Sequence, residues 1–328
     1  WALAHRFRFS EARQLLDAIE MQSAAHGEAL AHSAWVKLRV VRAICEAFAD
    51  NIDRSIAIVE PLLREMPCGD IWVDGLVCNI LSYCHLADSR PQQALEVQQR
   101  VSGVSLANRN LFVTVYRAFV MAQSYLRQGN LAEAERQAAR ALRYAERHAG
   151  ENASSGATLA PILAEIAWEQ GKGEQAQSLL VPRLETIDSF CPPDGLSRSY
   201  IVLARQARET GRLAEAESLL LHAEGLAAQR GWLRAQAPLL AERIAVALHA
   251  GDKQAAEALL LRLQSLELGA FLRQIGVDQV PHARLQRIRQ LANEGDVSFE
   301  RLRLGAQTRE RARDRGDGDV EAVFEVLP

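Results

Sequence analysis

One phrase occurs twice in this sequence: Gly-x-Leu-Ala-Glu-Ala-Glu spans residues 129–135 and again residues 211–217. A turn residue followed by a similar helical pattern also occurs before, between and after these two copies. The seven turn positions, spaced 39 to 43 residues apart, are Phe7, Asp50, Ser89, Gly129, Gly171, Gly211 and Gly251. A period of this length is typical of solenoids, in which each repeat is one pair of helices.

Each repeat contains two helical segments. The first segment, helix A, ends at the turn position, and the second, helix B, begins a few residues later. Glycine suits the turn because the residue just past a helix end commonly adopts the left-handed conformation. A small residue five positions after the turn would let helix B approach helix A closely. Six repeats have alanine there: Ala12, Ala94, Ala134, Ala176, Ala216 and Ala256.

The repeat around Gly129 resembles the tetratricopeptide repeat. Met121, Ala122 and Tyr125 match its large, small and aromatic positions on helix A, and Ala134 and Ala141 match its small positions on helix B. The repeats here are longer than the roughly 34 residues of the standard motif. The resemblance is strongest over residues 108–260 and weakest over residues 1–50.

The composition agrees with a helical fold, because Ala, Leu, Arg, Glu and Gln dominate and aromatic residues make up only 6%. We predict an all-α, right-handed superhelix (an α-solenoid) of about seven tetratricopeptide-like helix pairs with a period of roughly 40 residues, over residues 1–298. Residues 299–328 mix arginines with acidic residues and predict a charged linker or C-terminal tail. Since the first turn already falls at Phe7, we expect the chain to be a piece of a larger protein at both ends.

Several function classes are disfavoured. The sequence has no P-loop, H-E-x-x-H or G-x-S-x-G motif and no Cys/His cluster at zinc spacing, so we predict no enzymatic activity, no metal and no cofactor in this segment. The net charge of −3 and pI near 6.3 argue against direct contact with nucleic acid. No stretch approaches 18 apolar residues, and the five cysteines lack a C-x-x-C pair, so we expect no membrane association and a cytoplasmic location.

The segment LGAFLRQIGVDQVPHARLQRI resembles the end of the superhelical sensor region in MalT-type regulators, the large ATP-binding members of the LuxR family. Gly269, Leu272, Arg273, Ile275 and Asp278 approximate the family's pattern, and the run QIGVDQV departs from it. The resemblance implies an N-terminal nucleotide-binding switch domain, to which any ATP would belong, and a C-terminal DNA-binding domain. It also implies that the helical array is the region that binds the effector.

Two functions follow from these resemblances. The first is an effector-sensing and protein-interaction domain of a bacterial transcriptional regulator, with a small molecule or a regulatory protein or peptide in its concave groove. Self-association is compatible with this function. The alternative is a constitutive tetratricopeptide adaptor that holds a peptide or partner protein and has no switch.

The tetratricopeptide resemblance also implies which helix A residues face the groove. The arginines would form one stripe that could hold a carboxylate or phosphate, although a solvated face is the alternative. The aromatic residues could contact a ligand or could instead pack between repeats. The predicted ligand-binding residues are Asn79, Tyr83, Tyr116, Phe119, Gln123, Thr158, Glu165, Trp168, Arg198, Arg205 and Arg208.

Overall fold

The computed structural model describes residues 2–25, 31–100, 110–150 and 153–274. Its contacts divide the chain into two compact units, Trp1–Leu260 and Leu261–Pro328. Within the described residues, all regular elements are helical. The α-helices are α1 Ala2–His5, α2 Phe9–Ala25, α3 His32–Phe48, α4 Ile52–Arg64, α5 Ile71–Ala87, α6 Pro91–Arg100, α7 Leu111–Arg127, α8 Leu131–Ala149, α9 Ser154–Glu169, α10 Gly173–Leu180, α11 Leu184–Phe190, α12 Pro193–Glu209, α13 Leu213–Gln229, α14 Leu233–His249 and α15 Lys253–Gln274.

These helices form seven pairs in the predicted register, numbered here as repeats 1 to 7. The A helices are α1, α3, α5, α7, α9, α12 and α14, and the B helices are α2, α4, α6, α8, α10 with α11, α13 and α15. Helix B of repeat 5 is divided by a 3-10 turn at Val181–Arg183, where Pro182 removes a backbone N–H. The predicted all-α solenoid of about seven helix pairs is confirmed.

All seven predicted turn positions have a positive φ, between 56° and 77°. At each of them, the N–H of the following residue donates to the carbonyl five residues earlier, over 2.7 to 3.0 Å. This hydrogen bond satisfies a carbonyl that the end of helix A would otherwise leave unpaired. The three positions without glycine, Phe7, Asp50 and Ser89, adopt the same conformation as the glycines.

The small positions of helix B are buried as predicted. Ala94, Ala134, Ala176 and Ala216 are fully inaccessible to solvent, and Ala12 and Ala256 are nearly so. Repeat 2 has Ser55 at this position, and its hydroxyl donates to the carbonyl oxygen of Ala43 over 2.9 Å. A serine is therefore accepted because its one polar atom finds a partner in the neighbouring A helix.

Two sequence predictions concern residues outside the described part of the chain. The boundary between the array and the charged tail, at residues 298 and 299, lies there, and so do residues 275–288 of the segment that resembles MalT-type regulators. Among the described residues, no helix has both the length and the apolar character needed to span a bilayer.

Candidate functional site

The A helices form one continuous layer within Trp1–Leu260. Each of α3, α5, α7, α9 and α12 packs against the A helix of the next repeat, and B helices such as α4, α6, α8 and α13 pack against both their own A helix and the following one. All eleven predicted ligand-binding residues lie on A helices, namely α5, α7, α9 and α12. The repeat register therefore placed them in the inner layer.

A cavity of about 330 Å³ opens in this layer, between the A helices of repeats 4 to 7. Four arginines and two carboxylates contribute to its wall, together with shorter apolar and hydroxyl side chains. The lining residues are Arg127 from α7, Glu165 from α9, Pro193, Asp194, Ser197, Arg198, Ile201, Val202 and Arg205 from α12, and Arg234, Ala235 and Pro238 from α14.

The arginines of the cavity wall are paired with carboxylates. Arg234 Nη1 lies 2.7 Å from Asp194 Oδ2, and Arg127 Nη2 lies 3.5 Å from the other oxygen of the same carboxylate. Arg198 forms an ion pair with Glu165. Because these pairs are partly shielded from water, the charges interact more strongly than they would on an open surface.

Arg205 and Arg208, the remaining members of the predicted cationic stripe, share one acid. The Nε atom of Arg205 donates to Glu242 over 2.9 Å, and Arg208 contacts the second oxygen of the same carboxylate. Glu242 is buried at the inner face of α14. The stripe on α12 therefore has its charge compensated by acids from α9 and α14, which sequence spacing along α12 could not show.

Burial changes the acidities at the centre of this network. Burial alone would lower the pKa of the Arg234 guanidinium, but Asp194, Tyr83 and Asp50 hold it well above its usual range. Burial would raise the pKa of Asp194, and Arg234 with two further arginines outweighs this effect and holds that pKa below its usual value. Burial does raise the pKa of Asp50, even though Arg234 opposes the shift. Arg234 and Asp194 are therefore both charged at neutral pH.

Six predicted residues lie in the interior rather than on the cavity wall. Asn79, for example, donates to the carbonyl oxygen of Val113 over 3.1 Å and accepts from Gln98 Nε2 over 3.1 Å. The ring of Tyr83 lies 5.3 Å from that of Phe48, the last residue of helix A in the preceding repeat. In this structure the aromatic residues pack between repeats, which was the alternative to ligand contact. The six residues are Asn79, Tyr83, Tyr116, Phe119, Gln123 and Thr158.

Of the other five predicted residues, three line the cavity: Glu165, Arg198 and Arg205. Trp168 is half-buried against the core, and Arg208 lies outside the cavity lining, where it forms an ion pair with Glu242. The sequence reasoning missed Arg127, Asp194 and Arg234, which lie at the last or first turn of their helices. A usable signal exists for Asp194 and Arg234, because opposite charges one period apart lie at the same end of successive A helices.

Trp232 and Arg234 also reach the first two turns of the array, and this contact is named the clasp. One side consists of Phe7, Phe48 and Asp50 from repeats 1 and 2. The other consists of Arg230 and Trp232 from the turn between α13 and α14 and Arg234 from the first turn of α14. The indole Nε1 of Trp232 donates to the carbonyl oxygen of Phe48 over 2.6 Å, across 184 residues of sequence. Trp232 is fully buried, so it fills a gap between repeats rather than lining an open groove.

A second cavity of about 320 Å³ lies between α4, α5 and α6. Its wall mixes acids, arginines and one histidine, His85, whose Nδ1 has no hydrogen-bond partner within the described part of the chain. Burial lowers the pKa of His85, and Arg90 adds to the shift. This cavity contains none of the residues that the sequence singled out.

Comparison with known proteins gave a family match and similar solved structures. The sequence matches the family described as the MalT-like TPR region over residues 36–317. The crystal structure of BtubC (BKLC) from P. vanneervenii is similar at 19% sequence identity and a TM-score of 0.47, covering 72% of this chain and 94% of that one. No curated protein matches the sequence.

Proposed function

Because this chain belongs to the family of MalT-like TPR regions, we propose that it is the effector-sensing and interaction domain of a MalT-like transcriptional regulator of the LuxR family. The domain is non-catalytic, and a small effector binds in the cavity between repeats 4 and 7. The supporting observation is that four successive A helices place six charged side chains around one cavity of about 330 Å³. Binding there would change how the domain contacts the ATP-binding and DNA-binding parts expected in such a regulator.

The size and polarity of the cavity favour a small, compact ligand. Its volume falls at the lower end of the range of small-molecule sites, roughly 300–1,000 Å³. Four arginines and two carboxylates line the wall, while Glu242 and Asp50, which pair with Arg205 and Arg234, lie outside it, so the surface that a ligand meets is mainly cationic. A ligand with a carboxylate or phosphate group matches that excess through charge-assisted hydrogen bonds.

Arg198 is the residue best placed to bind such a group. Its side chain is mostly buried and pairs with Glu165, while its Nη1 has no hydrogen-bond partner within the part of the chain that the structure describes. A buried donor without a partner costs about 1–3 kcal/mol. A ligand oxygen at Nη1 would remove that cost and gain a charge-assisted bond.

The experiment is a thermal-shift screen of this chain against small carboxylates and phosphate esters, repeated on two variants. We expect at least one compound to raise the melting temperature, and Arg198→Met to lose most of that shift because it removes the donor and keeps the aliphatic bulk. Arg212→Met is the matched control, since Arg212 is exposed, lies outside the cavity lining, and pairs with Glu215 and Thr210 at a turn. Equal shifts in Arg198→Met and in the unmodified protein would exclude this site.

The alternative function, a constitutive adaptor, makes a different prediction. An adaptor needs an open groove in which an extended peptide can lie against aromatic side chains. The burial of Tyr83, Tyr116 and Phe119 supports the small-ligand cavity over such a groove. If no small molecule stabilises the chain while one partner protein co-purifies with it and survives Arg198→Met, the adaptor is the better account.

A further inference from the structure

The clasp joins parts of the array that a solenoid would normally keep apart. Repeats in such an array contact their neighbours, whereas here the turn before α14 contacts the turns of repeats 1 and 2. The apolar half of the clasp is aromatic: the ring of Trp232 lies 4.8 Å from that of Phe7 in an edge-on arrangement. The guanidinium of Arg230 lies 4.8 Å from the centre of each of these two rings.

The polar half of the clasp is centred on Arg234, and all five of its side-chain N–H groups are used. Nη1 donates to both oxygens of Asp194, over 2.9 and 2.7 Å. Nη2 donates to Asp50 over 3.1 Å and to the hydroxyl of Tyr83 over 2.7 Å, and Nε donates to Asp50 over 3.2 Å. An arginine has five such donors, so this side chain has none left for a ligand.

The clasp accounts for two of the turns that lack glycine. Phe7 and Asp50 have φ of 56° and 61°, a conformation that costs a non-glycine residue about 1–2 kcal/mol. Glycine in either place would avoid that cost and would lose the ring contact with Trp232 or the ion pair with Arg234. At both turns the sequence therefore has a side chain that stabilises the clasp, even though glycine would adopt the turn conformation at lower cost.

Arg234 and Asp194 belong to the clasp network and also line the cavity. We propose that the clasp is a switch controlled by the cavity: a ligand carboxylate or phosphate that engages Arg234 displaces Asp194 or Asp50 and so opens the clasp. This inference rests on the proposed function for its ligand. The coupling of Asp194 to the clasp can be tested without any ligand. Opening would expose Trp232, Phe48 and Tyr83, which are buried when the clasp is closed.

The coupling runs in both directions. If a ligand in the cavity favours the open clasp, then a variant that weakens the clasp must bind the same ligand more tightly. Asp50→Ala weakens the clasp from the side that does not line the cavity, because it removes the acceptors for Arg234 Nε and Nη2 and Asp50 is absent from the cavity wall. The direction of this effect distinguishes a switch from simple loss of structure, which would weaken binding.

The experiment is hydrogen exchange, read by mass spectrometry, in peptides that cover residues 44–50 and 230–236. We expect Asp194→Asn to accelerate exchange in both peptides by about tenfold or more, because it removes two charge-assisted bonds from Arg234. Glu165→Gln is the matched control: it neutralises another cavity carboxylate, one that pairs with Arg198 rather than Arg234. Unchanged exchange in Asp194→Asn, or equal acceleration in Glu165→Gln, would overturn the coupling.

Asp50→Ala removes the partner of Arg234 on the other side of the clasp, and serves if Asp194→Asn does not fold. We expect it to accelerate exchange in residues 194–205 of α12, whereas Asp53→Ala, at an exposed acid near the start of α4, should not. No acceleration at α12 would contradict the proposal.

Inorganic phosphate, compared with chloride at equal ionic strength, tests whether an anionic ligand opens the clasp. Phosphate should accelerate exchange at residues 230–236 and bind more tightly to Asp50→Ala than to the unmodified protein. Stabilisation by phosphate with unchanged clasp exchange would overturn the switch and leave the cavity site intact. Absence of phosphate binding, with Asp194→Asn still opening the clasp, would instead count against the anionic ligand class of the proposed function while supporting the coupling.

Discussion

The inner layer of A helices differs between repeats 3–4 and repeats 5–7. On α5 and α7 the positions predicted to face a groove hold Asn79, Tyr83, Tyr116, Phe119 and Gln123, and all of them are buried. On α9, α12 and α14 the inner positions carry arginines and acids around a cavity. The repeat register thus fixes which side of a helix faces inward, and the side chains found there determine whether neighbouring repeats close over them or leave a space.

The largest expected effect that tests this comparison is the removal of a buried ring. Phe119 is fully inaccessible, so Phe119→Ala should lower the free energy of unfolding by about 3–5 kcal/mol. Ile201→Ala, on the partly open wall of the cavity, should cost less than half as much because that side chain is only partly buried. Urea denaturation followed by circular dichroism measures both, and equal losses would contradict the distinction between the two regions.

A smaller effect is expected where α5 and α7 approach each other. A Cβ atom added at Gly75 would lie 2.3 Å from Cγ1 of Val113, a stiff β-branched side chain. Gly75→Ala should therefore cost about 1–3 kcal/mol from overpacking. The double variant Gly75→Ala with Val113→Ala removes the obstructing atom, so chemical denaturation should show that adding Gly75→Ala to Val113→Ala costs less than adding it to the native protein.

A glycine substitution in a B helix should have the opposite effect on stability. Gly225 lies within α13, and a Cβ atom there would have nothing within 4 Å. Gly225→Ala should stabilise the protein by about 0.4–1 kcal/mol by restricting the unfolded chain. Gly211→Ala is the contrasting variant, because the φ of +76° at this turn disfavours a side chain and should make the substitution destabilising. Melting temperatures of the two variants that move in the same direction would contradict this account.

The smallest effect is a change in acid sensitivity. The pKa of Asp194 is lowered in the folded chain, so its stabilising contribution is present above its unfolded pKa and is lost as pH falls through the folded value. The pKa of Asp50 is raised, so its contribution has the opposite sign and improves as pH falls. As the pH is lowered from 7, the melting temperature of Asp194→Asn should therefore decline less steeply than that of the native protein. The melting temperature of Asp50→Asn should decline more steeply than that of the native protein.

The periodic parts of the fold could be predicted from sequence. The seven turns, including three without glycine, and the small positions of helix B follow from a period that recurs along the chain. Local chemistry is sufficient there, because each turn is closed by backbone hydrogen bonds within its own repeat.

The cavity and the clasp could be predicted only in part. Glu165, Arg198 and Arg205 were found because they occupy repeated positions on helix A. Arg127, Asp194 and Arg234 lie at helix ends. Asp194 and Arg234 are one period apart, at 40 residues, whereas Arg127 lies 67 residues from Asp194 and Asp50 lies 184 residues from Arg234, separations that one period does not specify. The contact between Trp232 and Phe48 joins residues 184 positions apart, so no window of the sequence contains both.

The clasp has a consequence for how the array unfolds. A solenoid with contacts between neighbours only can fray from either end, one repeat after another, because its stability is close to a sum of local terms. Here the first two repeats are held by residues of the turn that precedes α14, so the N-terminal end cannot detach without breaking a contact made near the opposite end of the described chain. During synthesis, that support for repeats 1 and 2 is missing until residue 234 has been made. Cooperativity in this protein therefore arises partly from one long-range contact.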